Sequence, residues 1–345
     1  MDCGRGTNAN TAVAMCVGAS RPGQWRWRWR AKWTVVIALL LGIFHAAQAA
    51  DQVLVILSSD TPPYSDFLAG LRSRLDSFAL PRLTLQAVMA SDYDQSGAWQ
   101  TPATAPKLIV TVGTGAAEML LHTPNTIPTV FTLIPKTTYD RLARQTTDRI
   151  APRPHTAVFI NQPIGRQLAL IKLAFPAATR VGVLLGPTSS QYKTRLLNNA
   201  RRQHLRLRTV DVSRPDDLPD AISGLSENCD VVLALPDKLI YNTRTTQNIL
   251  LTTYRAGRPV VAYSQSFVDA GAVLGLFSRP HQIGHQVADL VHQYTAQAQP
   301  SLPAPQYPRY FSVAVNEYVA RSLDLALESA ASLTRRLREL EEGHP

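Results

Sequence analysis

Leu108-Ile-Val-Thr-Val112 runs directly into Gly113-Thr-Gly-Ala-Ala-Glu118. Five apolar or β-branched residues without polar alternation read as a strand buried on both faces, as in a parallel sheet. The glycines mark a tight turn into a helix, whose free N–H groups and dipole favour an anion such as a carboxylate. Similar runs recur outward from this one, at 53–57, 83–88, 129–134 and 156–160, then at 181–185, 205–212, 231–235, 259–263 and 272–277. Helical patterns over 64–78, 165–175, 190–204 and 243–255 lie between them, one bracketed by Pro163 and Pro176. Repeated β-α-β defines the α/β doubly wound class. Ten strands are too many for one compact sheet, so the pattern predicts two Rossmann-like lobes with parallel sheets. A helix over 281–298, a proline-rich stretch at 299–308, a last strand at 310–315 and a helix from Asn316 close the chain. The segment 331–345 alternates charge and reads as a solvated, frayed helical tail.

Composition excludes fibrous, coiled-coil and low-complexity classes: the 345 residues are 45% hydrophobic and 17% charged. The net charge of +10 is unevenly placed. Residues 1–50 hold six bases and one acid, leaving 29 bases and 24 acids for the rest. No long basic run and no aromatic–basic interleaving follows, so a nucleic-acid partner is not expected. Arg201, Arg202, Arg206 and Arg208 read as a solvated helix end and strand start.

Alternating Trp and Arg over 25–32, the apolar stretch 34–44 and Ala47-Gln-Ala49 have the order of a secretory signal peptide. The stretch is short of the ~20 residues a spanning helix needs. Cleavage near Ala49 or Ala50 is expected, with translation starting at Met1 or Met15. Of the three cysteines only Cys229 would survive, as a small buried hydrophobe in a disulfide-free exported protein that suits a bacterial periplasm.

Several stretches, in order, carry a family resemblance: Pro106 through Glu118, Ile127-Pro-Thr-Val-Phe-Thr132, Pro176 through Pro187, Asp230 through Asp237, Arg258 through Tyr263, Val268-Asp-Ala-Gly-Ala272, Gly284 through Asp289, and Val315 through Leu323. Together they resemble the ABC-transporter substrate-binding proteins of type I periplasmic-binding fold, which include tryptophan and tyrosine binders. The resemblance implies two lobes joined by three hinge crossings, with lobe 1 at 51–160 plus 278–305 and lobe 2 at 161–277 plus 306–330. It also implies a monomer that binds a small molecule between the lobes and passes it to ABC permease subunits in the inner membrane, without enzymatic activity or cofactor.

Ligands of open α/β sheets sit beyond the strands' carboxyl ends, which makes the following residues candidates. Ser58, Ser59, Asp60 and Tyr64 follow the first strand; Asp60 also suits a turn and helix cap, and Tyr64 suits either ligand stacking or packing. The resemblance places ligand contacts at Thr114 and Gly115. It gives Pro187, Ser189 and Ser190 to the equivalent loop of the second lobe, where hydroxyl and backbone donors would meet a ligand carboxylate. It puts a cleft acid at Asp237, suited to a ligand amine, although a cap before Leu239 explains that residue equally well. Tyr263, Ser264 and Phe277 end later strands. Tyr263-Ser264 and Pro135-Lys136 stand where the family often carries acids, which argues against a standard amino-acid ligand.

The same G-x-G fails as a dinucleotide fingerprint, because Glu118 stands where the third glycine belongs and the next strand ends without the expected acid. No G-x-S-x-G, H-E-x-x-H or Walker A motif occurs. Asp60 and Asp237 alone would make a poor carboxylate pair for glycoside hydrolysis. His281, His285 and His292 share one exposed helical stripe, without the further ligands a metal site needs. A ligand sensor for a membrane signalling protein and an exported Rossmann-type enzyme are the competing readings.

Overall fold

The computed structural model describes residues 51–78, 83–93, 105–123, 126–149 and 154–343. The signal-peptide expectation therefore lies outside the described residues. The chain separates into 1–49 and 50–345, and the second unit carries the fold.

All eleven apolar runs become strands. The first sheet holds β1 (Asp51–Leu57), β2 (Leu83–Met89), β3 (Leu108–Val112), β4 (Thr129–Ile134) and β5 (His155–Phe159), all parallel, in the order β2-β1-β3-β4-β5. The second holds β6 (Arg180–Leu185), β7 (Arg206–Asp211), β8 (Val231–Leu233), β9 (Val260–Ala262), β10 (Leu274–Phe277) and β11 (Ser312–Val315), in the order β11-β10-β9-β8-β6-β7. Only β11 runs antiparallel, against β10. Leaving β11 aside, both sheets share one topology, in which the first strand lies between the second and the third.

Helices cover both faces of each sheet. In the first lobe these are α1 (Pro62–Asp76), α2 (Thr114–Leu121) and α3 (Lys136–Arg149). The second has α4 (Ile164–Ala174), α5 (Lys193–Arg202), α6 (Leu218–Glu227), α7 (Thr246–Arg255) and α8 (Gln265–Asp269). Burial follows the apolar patterning: β3 is buried at every position, and Cys229 is a free, fully buried thiol whose pKa burial raises.

Then α9 (Pro280–Ala296) returns to the first lobe and packs along α1, where Ile283, Val287 and Val291 are fully buried in the core that also holds Phe67 and Leu71. That packing corrects the expected exposure of the histidine stripe. His281, His285 and His292 are all half-buried, and the His292 ring stacks on Phe78 with centroids 4.3 Å apart. No group of three metal-ligating side chains occurs among the described residues.

The chain end also departs from expectation. The helix from Asn316 stops as α10 (Glu317–Ser322), Asp324 adopts a left-handed φ of 55°, and a separate α11 (Ala330–Glu342) follows. It is packed rather than frayed: Leu333 and Leu337 are fully buried against α4 and the second sheet. Leucines four apart put both side chains on one helical face, which the charge alternation conceals.

The chain passes between the sheets three times: after β5, after β10, and between Gln306, which bridges Val158 at the first sheet's edge, and β11. One side-chain network ties the crossings together. Gln162 donates to Ser278 Oγ at 2.8 Å, and Ser278 donates to the Tyr310 carbonyl at 2.5 Å. Arg166 Nη1 reaches Gln162 Oε1 and the Pro308 carbonyl at 2.6 and 2.7 Å.

Candidate functional site

Both sheets reverse strand order beside their first strand, between β1 and β3 and between β6 and β8. Such switch points leave a crevice beyond the carboxyl ends of the strands. The sequence-selected residues fall on both crevices.

At the first crevice, Gly113 precedes α2 with φ 89°, a left-handed conformation that favours glycine. A Cβ there would lie 2.7 Å from both Ser58 Oγ and the Tyr64 ring. Ser58, at the end of β1, donates to the Val112 carbonyl at 2.8 Å and accepts from the Ala116 N–H at 2.8 Å. It thereby caps α2 from another strand. Gly115 is exposed and Thr114 half-exposed, so the first turn of the helix stays open to a ligand. Tyr64, in the first turn of α1, is half-buried against this turn. Asp60 is exposed, and Ser59 Oγ accepts from the Thr61 N–H at 3.2 Å. Nearby, β4 ends in a bulge with Leu133 at φ 51°, which turns the chain into Pro135-Lys136. Lys136 pairs with Asp140 at 2.6 Å and lies over the Phe159 ring, while its N–H donates to Asn161 Oδ1 at 2.8 Å.

At the second crevice, Asp237 is 4% exposed. Its Oδ2 accepts from the Thr188 N–H (2.9 Å), the Ser189 N–H (2.8 Å) and Ser189 Oγ (3.0 Å), and its Oδ1 from the Leu239 N–H (3.0 Å). A Cβ at Gly186 would fall 2.5 Å from Oδ1. Sequence reading offers Asp237 as a partner for a ligand amine. In the structure its carboxylate is enclosed by protein donors and fixes the 186–190 loop. Ser189 is fully buried in that arrangement, while Pro187 and Ser190 are exposed. Tyr263 is half-buried and packs on Phe267 and Tyr241, with centroids 5.3 and 6.2 Å away. Burial, and secondarily Asp237, pushes its phenol up to about 12. Ser264 caps α8, and Phe277 is buried at the end of β10.

Sequence reasoning missed three features. Ser58 was one of several polar residues after a strand, and only its partner at Ala116, 58 positions away, reveals the cap. The Tyr192 phenol, pushed up chiefly by burial, also feels Thr137 and Asp140 of α3, so the second-lobe loop faces the first lobe. Ser190-Gln-Tyr-Lys193 has the S-x-x-K spacing of some serine acylases. Lys193 is nevertheless paired with Asp211 at 2.6 Å, and Ser190 donates to the Pro187 carbonyl at 3.3 Å.

Two doubly wound lobes, three crossings and paired switch-point crevices define the type I periplasmic-binding fold. The family described as ABC transporter substrate binding protein matches residues 91–333, and the chain belongs to that family. Its members are periplasmic or extracellular. No helix among the described residues is long and apolar enough to cross a membrane.

The fold is shared with solved structures. A substrate-binding protein with adhesive properties from Clostridium difficile, in its ligand-free open form, is 16% identical with a TM-score of 0.63, covering 81% of this chain and 96% of that one. An ABC domain in complex with L-Trp from Streptococcus pneumoniae is 17% identical with a TM-score of 0.53, covering 83% and 98%. A conserved domain protein from Vibrio cholerae is 21% identical with a TM-score of 0.53 and the same coverages. No curated protein sequence matches the chain.

Proposed function

We propose that this protein captures a small solute with an anionic group and an apolar or aromatic part between the carboxyl ends of its two sheets, and delivers it to an ABC importer. The observation that carries this reading is the open first turn of α2. Gly115 is exposed, Thr114 is half-exposed and the Tyr64 ring lies alongside. A helix start with free N–H groups suits a carboxylate, and a half-buried tyrosine suits an apolar or aromatic body. Asp60, exposed beside Tyr64, is the carboxylate left for a ligand amine. From the second lobe, Pro187, Ser190, Tyr263, Ser264 and Phe277 contribute contacts, while Asp237 and Ser189 hold their loop in place. The Streptococcus relative was solved with L-Trp, so aromatic zwitterions head the screen.

The test is a thermal-shift screen of the mature chain with aromatic and aliphatic amino acids, their deaminated acids and their decarboxylated amines. A ligand at a hundred times its dissociation constant adds ~2.7 kcal/mol, a clear rise in Tm. Acids and zwitterions should stabilise and the amines should not. Stabilisation by the amines alone would refute the anion assignment.

A further inference from the structure

On the outer face of the second lobe, α4, α5 and α11 enclose a groove of about 980 Å³. Its floor is apolar. Ala169 and Leu173 stand one turn apart on α4, and Leu337 and Leu340 one turn apart on α11. Leu340 is 42% exposed, whereas Leu337 is fully buried. The rim is cationic: Arg166, Lys172, Arg202 and His204 line the groove with a single acid, Glu341. Glu341 is engaged by Arg166 at 2.5 Å. Among the described residues no carboxylate pairs with Lys172 or Arg202, and both are exposed. The stretch 161–211 carries nine bases against Asp211 alone. Arg166 also bonds Gln162 and the Pro308 carbonyl, so the groove lies beside the hinge crossings.

We infer that this groove docks an acidic amphipathic helix of a partner protein. Apolar ridges spaced by one helical turn accept apolar anchors at i, i+3 or i+4, and i+7. The unpaired cations on the rim fit carboxylates flanking those anchors. The groove is concave, and its bases converge on it rather than spreading over a convex face, which favours a helix over a lipid surface. Arg206 and Arg208 belong to a different surface. Leu207 between them packs into the core under α4, whereas Val210 joins the core on the opposite face of the sheet.

The probe is a labelled 18-residue helical peptide with Leu at that spacing and Glu on both flanks, titrated into the mature chain in 150 mM NaCl and read by fluorescence anisotropy. A control peptide carries Lys in place of Glu. The Glu peptide should bind and the Lys peptide should not. Lys172→Glu with Arg202→Glu should weaken binding at least tenfold, Leu340→Ser should weaken it also, and Arg206→Glu with Arg208→Glu should leave it within twofold. Melting curves check the fold, with Lys172→Gln and Arg202→Gln replacing the reversal if it lowers Tm. Several results would each overturn the inference: no binding of the Glu peptide, equal binding of the Lys peptide, or equal loss from the Arg206 and Arg208 reversal. So would a self-dimer in sedimentation velocity that the Lys172 and Arg202 reversal dissolves, or phosphatidylglycerol vesicles binding where the Glu peptide does not.

Discussion

The two lobes repeat one topology and tie their switch points in reversed ways: in the first the loop after the first strand caps the helix after the third, and in the second the loop after the third strand holds the loop after the first. In the first, a neutral hydroxyl, Ser58, caps α2 and leaves its first turn open. In the second, a buried carboxylate, Asp237, takes up the N–H groups that a ligand anion would otherwise use. A bound anion competes with a built-in one for the same donors, so only the lobe lacking an internal carboxylate has donors free. On the proposed reading the ligand's negative group therefore goes to the first lobe, opposite a second-lobe loop fixed by Asp237.

Replacement of the two anchors should expose the asymmetry. Asp237→Ala leaves buried N–H groups without an acceptor and should cost about 3 kcal/mol or more in urea unfolding, because each hydrogen bond to a charged group contributes ~1.5–3 kcal/mol. Ser58→Ala removes a neutral cap and should cost about 1 kcal/mol. Equal costs would end the contrast between the lobes.

Gly113→Val should destabilise by about 1–3 kcal/mol through left-handed strain, and it should abolish binding because its Cβ meets Ser58 and Tyr64. Calorimetry with a ligand found by the screen separates the two effects. Thr114→Val should weaken binding by about 0.5–1.5 kcal/mol, whereas Ser190→Ala, whose hydroxyl already donates to Pro187, should weaken it less. The reverse order would move the anion to the second lobe.

The smallest difference concerns alkaline pH. Tyr139 in the first lobe and Tyr263 in the second are both pushed up to about 12, mainly by burial, with Asp140 and Asp237 adding to the shift. A folded state that favours the neutral phenol keeps that stability below pH ~10 and loses it as pH rises towards 12. Urea midpoints should therefore fall through that window, and Tyr139→Phe and Tyr263→Phe should each flatten the fall.

The sheets were legible in the sequence because buried parallel strands read as uninterrupted apolar runs, and all eleven runs form strands. The candidate residues were legible because parallel strands put their loops at one end. What the sequence hid were relations between distant residues. A carboxylate after a strand reads alike whether it faces a ligand or, as with Asp237, a loop 48 residues away. The helix α11 looked solvated because its charges outnumber the two leucines that bury it. The His281–His292 stripe looked exposed because nothing local shows that Gly70 of α1 abuts the His281 backbone or that Phe78 stacks on His292.

Hydrogen exchange of backbone amides, with and without a ligand from the screen, locates the bound solute across the whole chain at once. Protection should appear on both sides of the interlobe crevice, at 113–117 and at 187–192, and should be stronger at 113–117. Protection confined to one lobe, or centred on the groove between α4 and α11, would contradict binding between the carboxyl ends of the two sheets.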